Sequence, residues 1–390
     1  MILLAGAAVV LPDRILDEGT VAIDGDRIIE IMEGQRPGAA RTLEGHLIVP
    51  GFIDVHVHGV AGHDVMAGPV DLRAAARALP RFGVTAFAPT SIAAEPAALA
   101  RALDAVREAR ERPDPEAARV LPAHLESNFV NPAWAGAQPV SCLRTPRASE
   151  GARLPAGAFT AGDILAAIDR AGPEVGIITL APELDGAIDL IRRFVARGQR
   201  VSLGHSGATY EQAIDAIEAG ARHATHLFNR MQPMTHRDPG LTGAVLQRED
   251  VAAEIVCDGH HVHPAVVRIA IAAKSASRVM AITDGTAGSG LPEGSRATLG
   301  GRPITVRDTA RLDDGTMAGS VLTMDRAFAF LIGPVGLTPV EAAHLCATTP
   351  ARELGLRGHG VLAPGAVADL VVLDPRLQVA ETYIAGRQVL

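Results

Sequence analysis

Hydrophobic and polar positions alternate with a period of two at both ends of the chain. Near the start, Val21-Ala22-Ile23 leads through Asp24-Gly25-Asp26 into Arg27-Ile28-Ile29-Glu30-Ile31. An Asp-Gly between alternating apolar runs is a hairpin signal. Near the end, Ala368-Asp369-Leu370-Val371-Val372-Leu373-Asp374 and Thr382-Tyr383-Ile384-Ala385-Gly386-Arg387-Gln388-Val389 read as strands around a turn. Chain ends are often neighbours in space. Residues 1–48 and 362–390 are therefore expected to form one small β domain.

Between the ends the pattern changes. The apolar run Leu47-Ile48-Val49-Pro50-Gly51-Phe52-Ile53 reads as one buried strand, running into Asp54-Val55-His56-Val57-His58. Helical periodicity follows over 71–82, 96–110, 163–171, 186–197 and 210–219. Strand patterns fall over 84–88, 120–126, 175–180, 200–205, 223–227, 253–257 and 279–283. Strands alternating with helices predict a parallel sheet. Eight such units predict a (β/α)8 TIM-like barrel, the catalytic domain, over 49–361. A doubly wound open sheet is the alternative, weakened because no Gly-x-Gly-x-x-Gly turn follows an early strand. The loop over 127–162 is long and rich in Pro, Gly and Ala, as functional loops often are.

Composition narrows the function classes. The chain is 48% hydrophobic and 21% charged, which is ordinary for a globular protein. Aromatics make up only 3%, so small and branched aliphatics must fill the core. The net charge of −8 comes without a basic tract, which argues against a nucleic-acid partner. A small anionic substrate remains compatible, because local Arg residues decide that. No apolar run reaches the roughly 18 residues of a membrane span, so no membrane partner is expected. Residues 1–10 lack the basic segment and cleavage pattern of a signal peptide. Cys142, Cys257 and Cys346 are far apart and form no CxxC pair, which predicts a cytoplasmic protein without disulfides or thiolate metal sites.

The candidate chemistry lies in position. His56 and His58 share one face of their strand, because side chains alternate. Glu126, His205, His226 and Asp284 fall at the ends of the third, fifth, sixth and eighth predicted strands. In a barrel those ends converge on one face. Four His, a Glu and an Asp suit a divalent metal: zinc first, with iron, manganese or cobalt as alternatives. There are ligands enough for two metals, with His56, His58 and Asp284 on one, His205 and His226 on the other, and Glu126 as a bridge. A metal lowers the pKa of bound water from about 15.7 to about 7. Asp284 can take the proton of the attacking water and pass it to a departing amine, as amide hydrolysis requires.

These residues sit in stretches that resemble the N-acetylglucosamine-6-phosphate deacetylase family of the amidohydrolase superfamily. The stretches are Pro50-Gly51-Phe52-Ile53-Asp54-Val55-His56-Val57-His58-Gly59, His124-Leu125-Glu126, Leu203-Gly204-His205-Ser206, Thr225-His226-Leu227-Phe228-Asn229 and Arg237-Asp238-Pro239-Gly240. They continue with Asp258-Gly259-His260-His261-Val262, Thr283-Asp284-Gly285, Met317-Ala318-Gly319-Ser320 and Pro364-Gly365-Ala366-Val367-Ala368-Asp369-Leu370-Val371. The resemblance spans nearly the whole chain. It implies metal-dependent hydrolysis of the N-acetyl group of an amino-sugar phosphate by a homodimer, with Asp284 as catalytic acid and base. Members with an HxH pair tend to hold two metals. It further implies that Asn229 and the Arg230 backbone meet the phosphate, that Arg237 arrives from the neighbouring subunit, and that His261 touches the sugar. Ala137, Gln138, Met317, Ala318 and Gly319 would line the site.

The chain also departs from that family. Ser127-Asn128 follows Glu126 where Gly-Pro is usual, Gln138 stands where a His is usual, and Arg230 replaces a small residue. These changes leave the metal ligands intact and point to the substrate shell. A deacylase of a different N-acyl or cyclic amide is thus the second reading, and a non-catalytic relative the third.

Overall fold

The computed structural model describes residues 1–34, 41–147 and 158–390. Residues 148–157, inside the loop read over 127–162, lie outside that set. The two chain ends meet in one sheet. Its order is Arg387–Gln388, Val379–Ile384, Leu370–Leu373, Leu47–Pro50, Ile2–Val10, Ile15–Asp24 and Arg27–Glu33. The Asp24-Gly25-Asp26 turn closes the expected hairpin, with Gly25 at φ +56° and Asp24 paired to Arg27. Leu4, Val21, Ile23, Ile48, Leu370, Val372 and Tyr383 form the apolar layer of this sheet. Burying each such aliphatic side chain contributes about 1.5–3 kcal/mol.

The run read as a single first strand is in fact two. Leu47–Pro50 belongs to the small sheet, while Phe52–Val57 opens the barrel. Gly51 is the hand-over point. A Cβ there would stand 2.4 Å from the Thr85 side chain, and its N–H donates to the Asp369 carbonyl at 2.9 Å. Periodicity alone could not show this break, because both pieces are buried and apolar.

The barrel runs Phe52–Val57, Val84–Ser91, Ala123–Glu126, Val175–Leu180, Arg200–Leu203, His223–Ala224, Ala252–Val256 and Val279–Ile282, all parallel. The eighth strand returns to the first just past its end. His58 N–H donates to Gly285 O at 2.7 Å, and Asp284 N–H to His56 O at 2.9 Å. The sheet therefore nearly closes on itself, and the open doubly wound alternative falls. The strand read over 120–126 is interrupted before Ala123, where Pro122 lacks an N–H for the ladder. The fifth and sixth strands stop before His205 and His226, whose backbones turn left-handed at φ 49° and 30°.

Several elements went unread in the sequence, among them the helices Gly240–Gln247, Pro264–Lys274 and Met324–Ile332 and one sheet. Arg296–Leu299, Arg302–Val306 and Ala310–Arg311 form a three-stranded sheet after the eighth barrel strand. It packs Leu299, Ile304, Ala310 and Leu312 against Ile92 and Ala318, next to the open end of the barrel. Among the described residues no helix is long and apolar enough to cross a membrane.

Candidate metal centre

Strand geometry brings the candidate ligand side chains together. His56 and His58 lie on one face at the end of the first barrel strand, with Nε2 atoms 3.3 Å apart. Glu126 ends the third strand and stands between two groups. Its Oε1 is 2.7 Å from His205 Nε2 and 2.8 Å from His226 Nε2. Its Oε2 is 3.6 Å from His58 Nε2. Asp284 Oδ1 lies 3.2 Å from His58 Nε2 and 3.4 Å from His56 Nε2. The six residues of the sequence analysis thus share one cluster, and every one of them is buried.

Three of the six sit in strained backbone. His205, His226 and Asp284 all have positive φ, where non-glycine residues are rare and cost about 1–3 kcal/mol each. The turn out of the strand aims each side chain at the barrel axis rather than along the sheet. Gly319 accommodates the turn at Asp284. It has φ +75°, and a Cβ there would come within 2.8 Å of the Asp284 carbonyl oxygen.

The donor chemistry fits cations. The Nδ1 atoms of His58 and His205 face the carbonyl oxygens of Thr90 at 3.1 Å and Trp134 at 2.8 Å. His56 Nδ1 faces Glu254 Oε2 at 2.8 Å. An oxygen acceptor places the hydrogen on Nδ1, so each Nε2 turns a lone pair inward. Facing lone pairs about 3 Å apart repel unless a cation or a proton lies between them. The groups His56–His58–Glu126 and Glu126–His205–His226 each bring three ligand atoms within 4.8 Å of one another.

Electrostatics agree with this arrangement. Burial opposes the charge of Glu126, but His205, His226 and His56 hold its carboxyl well below the usual range. Burial likewise opposes Asp284, and His58 and His56 keep it ionised. Burial opposes charge on His56, yet Glu254 outweighs it and raises the imidazole to about 10, so without a cation a proton on Nε2 takes the place between the facing nitrogens.

Sequence reading missed Glu254, a fully buried acid in the middle of the seventh strand. The visible signal was a lone carboxylate inside the apolar run Ala252–Val256. Glu254 Oε1 lies 2.9 Å from His223 Nε2, off the hydrogen-bonding direction, and 3.8 Å from His124 Nδ1. Burial pushes His124 down to about 3, so that ring is neutral. It donates or accepts at Thr179 Oγ1, 2.7 Å away.

A cavity opens above the cluster. Glu126, His58, His205, His226, Asp284, Ala137, Gln138, Asn229, Arg230, His261, Met317 and Gly319 line it, with Ile92 and Leu299. Ala318 does not. It is fully buried and packs into the small three-stranded sheet, because residues alternate between the two sides there. Arg237 is exposed and absent from its own chain's cavity. Ser127 and Asn128 also face away. Ser127 donates to Thr179 O at 2.6 Å, and the Asn128 amide to Ala94 O at 2.7 Å and Cys142 O at 2.8 Å. That departure from the family pattern anchors the loop and leaves Gln138 and Arg230 as the ones that touch the cavity. His261 Nδ1 is held by Asp258 Oδ2 at 2.6 Å, which frees Nε2. His63 pairs with Asp71 at 3.1 Å, away from the ligands.

The chain is similar to known proteins over most of its length. The sequence model of the amidohydrolase family matches residues 47–389. The N-acetylgalactosamine-6-phosphate deacetylase of Escherichia coli O157:H7 is 35% identical over 354 residues, 90% of this chain and 90% of that one. The N-acetylglucosamine-6-phosphate deacetylase of Bacillus subtilis is 33% identical, covering 99% of this chain and 96% of its own. Among solved structures, the N-acetyl-D-glucosamine-6-phosphate deacetylase mutant from Mycobacterium smegmatis in complex with N-acetyl-D-glucosamine-6-phosphate superposes with a TM-score of 0.89. It is 32% identical and covers 100% of this chain and 99% of its own. Barrel, strand-end ligands and likeness over the full length agree: the chain belongs to the amidohydrolase family and, within it, groups with the N-acetylglucosamine-6-phosphate deacetylases.

Proposed function

We propose that this metal-dependent amidohydrolase removes the acetyl group from N-acetylglucosamine 6-phosphate, giving glucosamine 6-phosphate and acetate. The observation that carries the reading is Asp284. Its ionised carboxylate stands 3.2 Å from His58, on the wall of a cavity that also presents Asn229, Arg230 and His261. We further propose two divalent cations per chain, zinc before iron, manganese or cobalt. His56, His58 and Asp284 would hold one, His205 and His226 the other, with Glu126 between them.

A divalent cation bound there acidifies water and polarises a carbonyl. The protein's own groups do the rest. Asp284, ionised at neutral pH, takes one proton from water as the water oxygen adds to the acetyl carbon. It then gives that proton to the sugar nitrogen as the C–N bond breaks, since an unprotonated amine leaves poorly. The products are the amine and acetic acid, which ionises to acetate. His261 offers Nε2 to the sugar, its Nδ1 being engaged by Asp258. Asn229 and Arg230 stand where a phosphate would be gripped, and an Arg guanidinium presents a donor fork suited to it.

A homodimer belongs to the same proposal. Arg237 is exposed and off its own chain's cavity, so it is available to a neighbouring subunit's. The three buried, free cysteines fit a reducing cytoplasm. The galactosamine epimer is the second reading for the substrate, favoured by the relative from Escherichia coli. Acetate release from both epimers tests the assignment. Asp284→Asn is expected to lower turnover about 10²–10⁴-fold while the cation at His205 and His226 is kept. No acetate from either sugar phosphate would overturn the reading.

A further inference from the structure

Gln138 has both ends of its amide committed. Its Nε2 donates to Glu126 Oε2, and its Oε1 accepts the Ala93 N–H at 2.7 Å. Flipping the amide would set oxygen against carboxylate and NH2 against N–H, so only this orientation satisfies both ends. The side chain is buried, and its loop is tied down on either side. Gln138 N–H donates to Ala135 O at 3.0 Å, and the Arg302 guanidinium donates to Ala137 O. Swinging Gln138 away would break several of these contacts at once.

The two oxygens of Glu126 are therefore unequal. Oε1 is shared between the Nε2 atoms of His205 and His226 and has no further hydrogen-bond partner among the described residues. Oε2 faces His58, and it is the oxygen that Gln138 occupies. Resting on the reading of these groups as metal ligands, we propose that Gln138 makes the two cation positions unequal. The Glu126–His205–His226 position binds tightly, while the His56–His58–Asp284 position binds weakly and exchanges, because the carboxylate oxygen it would use keeps a lone pair but has its charge already partly drawn off by an amide donor. A charge-assisted hydrogen bond of this kind sets the expected difference at roughly 10- to 100-fold in affinity.

The test is a Zn²⁺ titration of metal-free full-length protein against a chromophoric chelator, with elemental analysis after gel filtration. The wild type is expected to keep one ion per chain and to bind a second at least tenfold more weakly. Gln138→Met, of similar length and without a donor, is expected to tighten the second ion roughly 10- to 100-fold and leave the first unchanged. His56→Asn with His58→Asn should abolish the weaker binding and spare the stronger. Two ions of equal affinity in the wild type would overturn the proposal without any variant. So would an unchanged second dissociation constant in folded Gln138→Met. No zinc bound by either protein would overturn the metal reading itself, which separates that failure from this one.

Discussion

Glu254 Oε2 accepts the Nδ1 hydrogen of His56 at 2.8 Å, both residues being fully buried. The contact ends a polar column that crosses the barrel. Glu353 pairs with Arg200 near the opposite end of the strands, and Arg200 Nε donates to His223 Nδ1 at 3.0 Å. His223 Nε2 in turn lies 2.9 Å from Glu254. Arg200 thereby leaves the hydrogen of His223 on Nε2, on the side of Glu254 but off the line to its Oε1. The column fixes the ring of His56 so that Nε2 points at His58 and Asp284. Glu254→Gln keeps the shape and removes the charge. Its metal affinity or kcat/KM is expected to fall about 10–100-fold, as for other groups that orient a ligating imidazole. Zinc titration and steady-state kinetics on the same preparation measure this. Affinity and kcat/KM both within twofold of wild type would refute the positioning role.

The Trp134 carbonyl accepts His205 Nδ1 at 2.8 Å, and Trp134 is the chain's single tryptophan. Its indole also lies against Gly207, where a Cβ would come within 2.5 Å of Nε1. Any ion held by His205 is therefore one residue away from the only indole. Adding zinc to metal-free protein is expected to change tryptophan emission with saturation at one equivalent. Gly207→Ala, which pushes the indole aside, is expected to weaken that first equivalent about tenfold. Emission that ignores zinc while elemental analysis shows it bound would disprove the coupling.

How far the sequence discloses this site follows from what periodicity can register. The hairpin at Asp24-Gly25-Asp26 and the alternation of strands and helices are local patterns, and the barrel follows from them. The six candidate ligands were legible because each falls beside an apolar run. The strand ends were not, since His205 and His226 leave the ladder through positive φ, which leaves no compositional mark on a non-glycine residue. Glu254 was hidden for a different reason. Its partners His56, His124 and His223 come from other strands, and only the closed barrel brings them together. The sheet over Arg296–Val306 did leave a sign, the Gly300-Gly301 turn between apolar positions, which is a hairpin signal.

Arg230 lines the cavity, exposed and left-handed at φ 51°, with no ion-pair partner among the described residues. Gly136 makes room for it, because a Cβ there would stand 2.7 Å from Arg230 Nε. An unpaired guanidinium at the rim suits an anionic substituent far from the reacting amide. Arg230→Ala is expected to raise KM for the sugar phosphate roughly 10- to 100-fold, the worth of a charged hydrogen bond, with kcat nearly kept. Hydrolysis of the unphosphorylated N-acetyl sugar should not change. Equal losses on both substrates would show that Arg230 only supports the loop.

Asp369 joins the small sheet to the barrel. Its Oδ2 accepts from Arg119 at 3.0 Å and faces His359 Nδ1 at 2.9 Å, while Oδ1 accepts the Ala385 N–H at 2.7 Å. Burial opposes its charge, but His359, Arg119 and that N–H outweigh it and hold the carboxyl below its ordinary value. A folded-state pKa below the unfolded one means that the ionised form binds the fold more tightly than the neutral form. This contribution is complete above the unfolded value of about 3.9 and is lost as pH falls through the lower folded value. Asp369→Asn removes it at every pH and is expected to cost about 1–3 kcal/mol at pH 7. The gap between variant and wild type should then narrow as pH drops below about 4. Urea unfolding of both proteins at pH 7 and in acid measures it, and a gap that stays constant or widens on acidification would contradict the assignment.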